Sequence, residues 1–425
     1  MGPITLFDKS FLQSLSVDES VWFDHFFYPN ICPLFYVETL ADLTKTANPS
    51  GRTAEDEVRI IADKTPVLSG GPCVHHRELC ISDLMGRRIP MRGQIPVASA
   101  RAVQSIEGLK GVIVDNSSEA QAFARWQRGE FKEVERHFAR SWRDMLTTLD
   151  LPETARRMQV LGISSANCKS IEQAHDMATT LVRSKTQPFE QMALLFSFVE
   201  IPPELHRPIL ERWSINQYQP LIEHAPYAAH VLSVELFFQI CLAANLISAG
   251  RASNRIDVGY LFYLPFCSLF ASSDKLHRKC TAPFLRADQE FIWGQDLKAE
   301  LARLNRDFSA LPEHEREAGL MKFARFPLGN DDSLMIRLWD KHLPSWRNKE
   351  CDKLEPDPEK QKELIKSLQR FTNAPTVQAD ASDRHFADPD RLSIERLVPK
   401  RKGNWWLLPK DLKVEDDDNR APRTD

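Results

Sequence analysis

Four acidic residues stand in two compact clusters far apart in the chain, and their surroundings imply that they meet. The first cluster joins Ile4-Thr5-Leu6-Phe7-Asp8 to Glu38, which lies in Phe35-Tyr36-Val37-Glu38-Thr39-Leu40. The second joins Asp257, followed by Val258, Leu261 and Phe262, to Ser268-Leu269-Phe270-Ala271-Ser272-Ser273-Asp274. Residues 4–7 and 268–271 are short and mostly apolar, the pattern of strands in a sheet covered on both faces. Asp8 and Asp274 then emerge at the carboxyl ends of strands, where open α/β sheets place their sites. Glu38 and Asp257 each open a segment with apolar residues at helical spacing. Four carboxylates brought into one crevice repel one another, and a hard divalent cation, Mg²⁺ or Mn²⁺, resolves that repulsion. Neutralising one of them, by Asp8→Asn or Asp274→Asn, is accordingly expected to leave the metal-free fold equally or more stable.

The order of these acids resembles the PIN-domain nucleases: an Asp after the first strand, an acid on an early helix, a late Asp, then Thr-x-Asp or Ser-x-Asp. Here the pattern reads Asp8, Glu38, Asp257 and Ser272-Ser273-Asp274, with Phe291-Ile292-Trp293-Gly294 and Asp296-Leu297-Lys298 similar to the last strand and closing helix. The resemblance covers residues 1–45 and 255–305. Two features depart from it. Pro265 ends any helix from Asp257 near Tyr263 or Leu264, and the early and late motifs lie about two hundred residues apart instead of the family's usual hundred or so, which requires a large insertion.

The resemblance implies a PIN-like parallel sheet flanked by helices and a metal-dependent nuclease, with RNA favoured over DNA as substrate. Asp8, Glu38, Asp257 and Asp274 would hold one or two Mg²⁺ or Mn²⁺ ions, and Ser272 would hydrogen-bond a carboxylate or a water on the metal. Asp42, one helical turn beyond Glu38, is assigned a supporting place beside the ligands. Lys275, His277, Arg278, Lys279 and Arg255 are expected to hold the phosphates of a substrate strand.

With 42% hydrophobic and 27% charged residues the chain has the composition of a globular protein. Its net charge of −4 gives no global attraction for nucleic acid, so polyanion binding must come from local patches. Eight scattered cysteines, with Cys241 and Cys267 in apolar runs, favour a reducing, cytoplasmic setting. The first residues lack the basic and apolar stretches of a signal peptide. The apolar stretch 227–249 contains His230, Glu235, Gln239 and Asn245 and reads as a buried helix, so no membrane span is expected.

The expected organisation is a core from residues 1–115 and 251–310, a helical insertion at 116–250 that can also dock a protein partner, and a C-terminal extension at 311–425. Residues 48–96 read as loops and short elements. Phe123, Trp126, Phe131, Val134, Phe138, Trp142, Met145 and Leu149 form an apolar stripe that predicts one helix of about thirty residues. Further helices are expected at 170–183, 188–200, 227–249, 334–343 and 356–371, a linker at 373–395 and an acidic tail at 415–425. Pro399-Lys400-Arg401-Lys402-Gly403-Asn404-Trp405-Trp406 reads as a segment that docks its tryptophans on the body, with a nucleic-acid grip as the alternative.

Other constellations carry less. Cys73-Val74-His75-His76-Arg77-Glu78-Leu79-Cys80 matches no standard zinc spacing. Arg337 and His342 match the short Arg-x4-6-His motif of metal-independent HEPN ribonucleases. Two alternatives to the metal-dependent nuclease follow: a catalytically inactive PIN-like scaffold, and a HEPN-type enzyme using that pair.

Overall fold

The structure, a computed structural model, describes residues 2–45, 51–98, 100–104, 110–114, 117–330, 332–348, 375, 392–394 and 398–412. The strands are β1 (Ile4–Phe7), β2 (Tyr28–Ile31), β3 (Gly71–Pro72), β4 (Ala100–Gln104), β5 (Lys110–Val114), β6 (Leu269–Ser272), β7 (Glu290–Trp293), β8 (Leu392–Ile394), β9 (Arg401–Lys402) and β10 (Trp405–Trp406). Five of them form a sheet in the order β3-β2-β1-β6-β7, with every neighbouring pair parallel. The protein is thus mixed α/β with a parallel sheet between helices. Leu6 and Phe7, on opposite faces of β1, are both fully buried, which explains why the strand reads as a continuous apolar run. Central β1 has β2 on one side and β6 on the other, with Leu6 opposite Asn30 and Phe270. The chain order reverses at that point, so the carboxyl ends of β1 and β6 flank the crevice where such sheets take ligands.

The first helices are α1 (Lys9–Ser14), α2 (Val17–Phe26), α3 (Pro33–Ala41), α4 (Ala54–Lys64) and α5 (His76–Leu84). A capping box starts α2: Glu19 N–H donates to Ser16 Oγ at 3.1 Å and Ser16 N–H to the Glu19 carboxylate at 2.7 Å. α4, α5 and the edge strand β3 are the elements within the region read from sequence as loops and short elements. The α4 stripe is narrow, Val58, Ile61 and Ala62 among charged neighbours, and β3 has two residues, one a proline. Both signals are too short to stand out from the surrounding Gly, Pro and charge.

Residues 117–250 contain helices only, among the described residues: α6 (Ser118–Gln127), α7 (Glu133–Thr148), α8 (Leu151–Val160), α9 (Ile171–Arg183), α10 (Pro188–Val199), α11 (Pro203–Ile215), α12 (Leu221–His224) and α13 (Pro226–Ala243). The single long helix expected from 118 to 149 is two. Gly129, at φ +75°, turns the chain between α6 and α7, a conformation that favours glycine. The predicted stripe also divides: Phe123 and Trp126 are buried, while Val134, Phe138, Met145 and Leu149 on α7 are exposed, Phe138 at 44%. α13 is long and apolar enough to cross a membrane by composition, with mean hydropathy 1.3, yet 78% of it is buried inside the protein. It packs against α5, α8 and α9.

After these helices come α14 (Asn254–Gly259), a 3-10 segment (Tyr260–Phe266) that contains Pro265, α15 (Lys275–Cys280), α16 (Gly294–Ser309), α17 (Glu313–Arg316), α18 (Leu320–Phe323) and α19 (Leu334–His342). The expected helix at 356–371 and the acidic tail lie outside the described residues, as does nearly all of the expected linker. The paired tryptophans dock on the body. Trp405 is buried at 1% exposure and meets Trp22 edge-on at 4.5 Å, and the indole N–H groups of both donate to Asn305 Oδ1 at 2.9 Å. Trp406 carries Lys400, Arg401 and Lys410 over its ring.

One side-chain oxygen therefore ties α2, α16 and the C-terminal hairpin together. Asn305→Ala strands two buried indole donors, so it is expected to cost about 2–4 kcal/mol in chemical denaturation and to release residues 398–412 to limited proteolysis. A loss within about 0.5 kcal/mol would show that packing alone holds the hairpin.

Candidate active site

Each of the two strands that flank the switch point ends beside an acid. Asp8 directly follows β1 and caps α1: Oδ1 accepts from Phe11 N–H at 2.9 Å, and Oδ2 accepts from Ser10 Oγ at 2.6 Å. Asp274 lies two residues beyond β6 and caps α15, with Oδ1 accepting from Leu276 N–H at 2.5 Å. Both therefore fill the ordinary structural role of a helix cap. Glu38 projects from the middle of α3 and accepts a hydrogen bond from the hydroxyl of fully buried Tyr260. Asp257 sits on α14, one helical turn before Tyr260. Asp8 is buried at 4% exposure, while Glu38, Asp257 and Asp274 are half-buried, giving one acid at the floor and three around it.

At the centre is His277, 1% exposed. Its Nε2 lies 2.6 Å from the backbone carbonyl of Asp257, so that nitrogen carries a proton. Nδ1 is 2.7 Å from Ser272 Oγ and 3.3 Å from Asp8 Oδ2. Ser272 Oγ is also 2.8 Å from Asp8 Oδ2 and accepts from Asp274 N–H at 3.0 Å. The single hydroxyl proton of Ser272 can serve Asp8 or a neutral ring, not both. A doubly protonated ring satisfies every group.

The electrostatics agree with that count. Burial opposes charge on His277, but Asp8 and Asp257 overcome it and lift the ring to about 9. Burial also opposes charge on Asp8, yet His277, Ser10 and Phe11 hold its carboxyl below the usual range. Glu38 is pushed up to about 7 by burial first, then by the charges of Asp257 and Asp8, against the pull of Lys9 and Tyr260. Asp257 rises to about 6 by burial and by Asp274 and Asp8, with His277 opposing. The four acids thus lie in one another's fields. They do not close on a single point: among the described residues no three His, Cys, Asp or Glu side chains stand together as a metal-ligand group. Asp8 is turned to Ser272 and His277, and Glu38 to Tyr260.

In kind, the donors suit a hard divalent cation, since all four are carboxylates and Glu38, raised to about 7, would yield its proton to it. The structure reverses one expectation. Because the charge of Asp8 is stabilised by His277, Asp8→Asn removes a favourable buried interaction and is expected to lower stability; relief of repulsion belongs to Glu38 and Asp257.

The supporting residues separate clearly. Ser272 meets Asp8 as its spacing implied. Asp42 turns from the crevice to Lys9 and Lys45, at 2.7 and 2.9 Å, while Lys9 also donates to the Glu38 carbonyl at 2.9 Å. Of the expected phosphate contacts, Lys275, Arg278 and Lys279 are exposed, with Arg278 over the Trp293 ring and Lys279 bonded to the Leu246 carbonyl. The other two are corrected: His277 is sealed inside, and Arg255 pairs with buried Glu235 between the rings of Phe238 and Phe262. Cys73 and Cys80 are free buried thiols, and His75 caps α5. Arg337 is held by Glu290 at 2.7 Å.

Sequence reasoning missed Tyr260 and the inward role of His277, although one lies a turn beyond Asp257 and the other five residues beyond Ser272. Gly294, named there only as the end of the last strand, packs against the same segment: a Cβ would stand 2.1 Å from Ser273 Oγ and 3.1 Å from the Ser272 carbonyl carbon. No protein-family model, curated protein or solved structure matches this chain.

A carboxyl raised from 4.5 to about 7 on folding holds its proton longer in the native state, so Glu38 lowers stability as pH rises across that window. His277 acts in the same direction between 6.5 and about 9, where its favourable charge is lost. Glu38→Gln keeps the shape and removes the first effect. In metal-free thermal unfolding, the variant's Tm minus the parent's is expected to grow from pH 4.5 to 7 and then level off. A constant difference would place Glu38 outside the shared field.

Proposed function

We propose that this chain is a metal-dependent nuclease of PIN-like architecture, an endoribonuclease in preference to a deoxyribonuclease, using Mg²⁺ or Mn²⁺. The observation that carries the reading is the juxtaposition of Asp8 and Asp274 at the switch point of the parallel sheet, with Glu38 and Asp257 brought to the same crevice by α3 and α14. The strand order, with the early strands β2 and β3 on one side of β1 and the late strands β6 and β7 on the other, supports the same assignment.

Asp8, Glu38, Asp257 and Asp274 would hold the cation, which when bound activates water and stabilises charge on the phosphate. Ser272 orients the Asp8 carboxylate, and Tyr260 orients Glu38. Glu38, titrating near neutrality, can yield its proton on loading and so match the site's charge to the ion. Lys275 and Arg278, exposed beside Asp274, are placed to meet substrate phosphates. The described cysteines are free and buried, which supports a reducing, cytoplasmic setting.

A second reading, an inactive scaffold, draws on the exposed apolar side of α7, where Val134, Phe138, Met145 and Leu149 offer a surface for a protein partner. The HEPN-type alternative draws little support, since Arg337 is committed to Glu290.

Cleavage of an RNA oligonucleotide with Mn²⁺, with and without EDTA, separates these readings. Asp257→Asn is expected to reduce Mn²⁺-dependent cleavage by at least about 100-fold while its metal-free Tm at pH 7.5 stays equal or rises. Cleavage that survives EDTA, or an Asp257→Asn protein as active as the parent, would contradict the proposal.

A further inference from the structure

We propose that His277 is a positioning residue that fixes Asp257 relative to Asp8 and makes no contact with substrate. The proposal rests on the nuclease reading for what the acids do, but its geometry stands in the metal-free protein.

The ring touches both sides of the crevice floor. Nε2 holds the Asp257 carbonyl at 2.6 Å, and Nδ1 faces Ser272 Oγ at 2.7 Å and Asp8 Oδ2 at 3.3 Å. Imidazole is rigid and carries its two nitrogens on different sides, so the span between α14 and the end of β1 is set by the ring itself. Tyr260 and Phe270 meet it edge-on at 5.3 and 5.0 Å and fix its plane. Tyr260 in turn donates to Glu38, so the same cluster steadies a third acid.

The ring adds to the Arg255–Glu235 pair in holding the short segment that bears Asp257. α14 has six residues, its cap Ser253 makes no side-chain hydrogen bond, and the residues before it are largely exposed. A helix that short has little stability of its own. At 1% exposure His277 has no surface to offer a phosphate, so its adjacency to Lys275, Arg278 and Lys279 in sequence does not translate into a shared role.

Two variants test this. His277→Phe keeps the ring and removes both tethers; His277→Gln keeps a donor able to reach the Asp257 carbonyl. In metal-free protein, amide hydrogen exchange across residues 253–260 is expected to accelerate about 10-fold or more in His277→Phe and less in His277→Gln. Mn²⁺ affinity, followed by the electron paramagnetic resonance of free Mn²⁺, is expected to fall about 10- to 100-fold in His277→Phe, with kcat reduced and KM for an RNA oligonucleotide unchanged. Exchange at the parent's rate in both variants would overturn the proposal, as would a raised KM with kcat and Mn²⁺ affinity intact, the signature of a phosphate contact. If His277→Phe does not fold, the same comparisons are read from His277→Gln. If the parent itself neither binds Mn²⁺ nor cleaves, the nuclease reading falls, and hydrogen exchange alone decides the positioning role.

Discussion

A carboxylate sealed at the end of a central strand needs a partner inside the protein, and for Asp8 that partner is His277. The pairing connects the start of the chain to a segment well past its middle, since Asp8 closes β1 and His277 lies on the helix after β6. Removing one member of a buried pair strands the other charge, typically at about 3–5 kcal/mol. The remaining acids adjust to this pair. Asp257 borrows the ring through its backbone carbonyl, and Glu38, on which burial outweighs the pull of Lys9, holds its proton until near neutral pH.

The crevice is therefore a site whose charge is partly offset from within. One imidazolium and a carboxyl that holds its proton to near neutral pH reduce the negative charge that four acids would otherwise carry. That offset is what lets four acids share one crevice. It also identifies the groups that must change on loading a cation: Glu38 and Asp257, which can lose protons, before Asp8, whose charge is already committed.

Much of this was legible in the sequence because its signals are local. Short, mostly apolar runs that lead to an Asp mark β1 and β6 as buried strands with acids just beyond their ends, and the sheet contains both strands. The α13 stretch announced itself as a buried helix by its polar interruptions. Whatever depended on partners distant in sequence was not legible. Nothing near His277 shows that it faces Asp8, more than 260 residues away, instead of standing with the lysines around it. α7 carries the periodicity of a core helix yet leaves Phe138 and Met145 exposed, because periodicity records an apolar face and not what covers it. The break at Gly129 was hidden by a stripe that continues in phase across it.

The central claim is that protonated carboxyls in this crevice make way for a divalent cation. Calorimetric titration of nucleic-acid-free protein with Mn²⁺ at pH 6.5, in two buffers of different ionisation enthalpy, counts the protons displaced. The account predicts saturable binding with release of about one proton per ion, reduced in Glu38→Gln. Absence of binding, or binding whose heat is the same in both buffers, would contradict it.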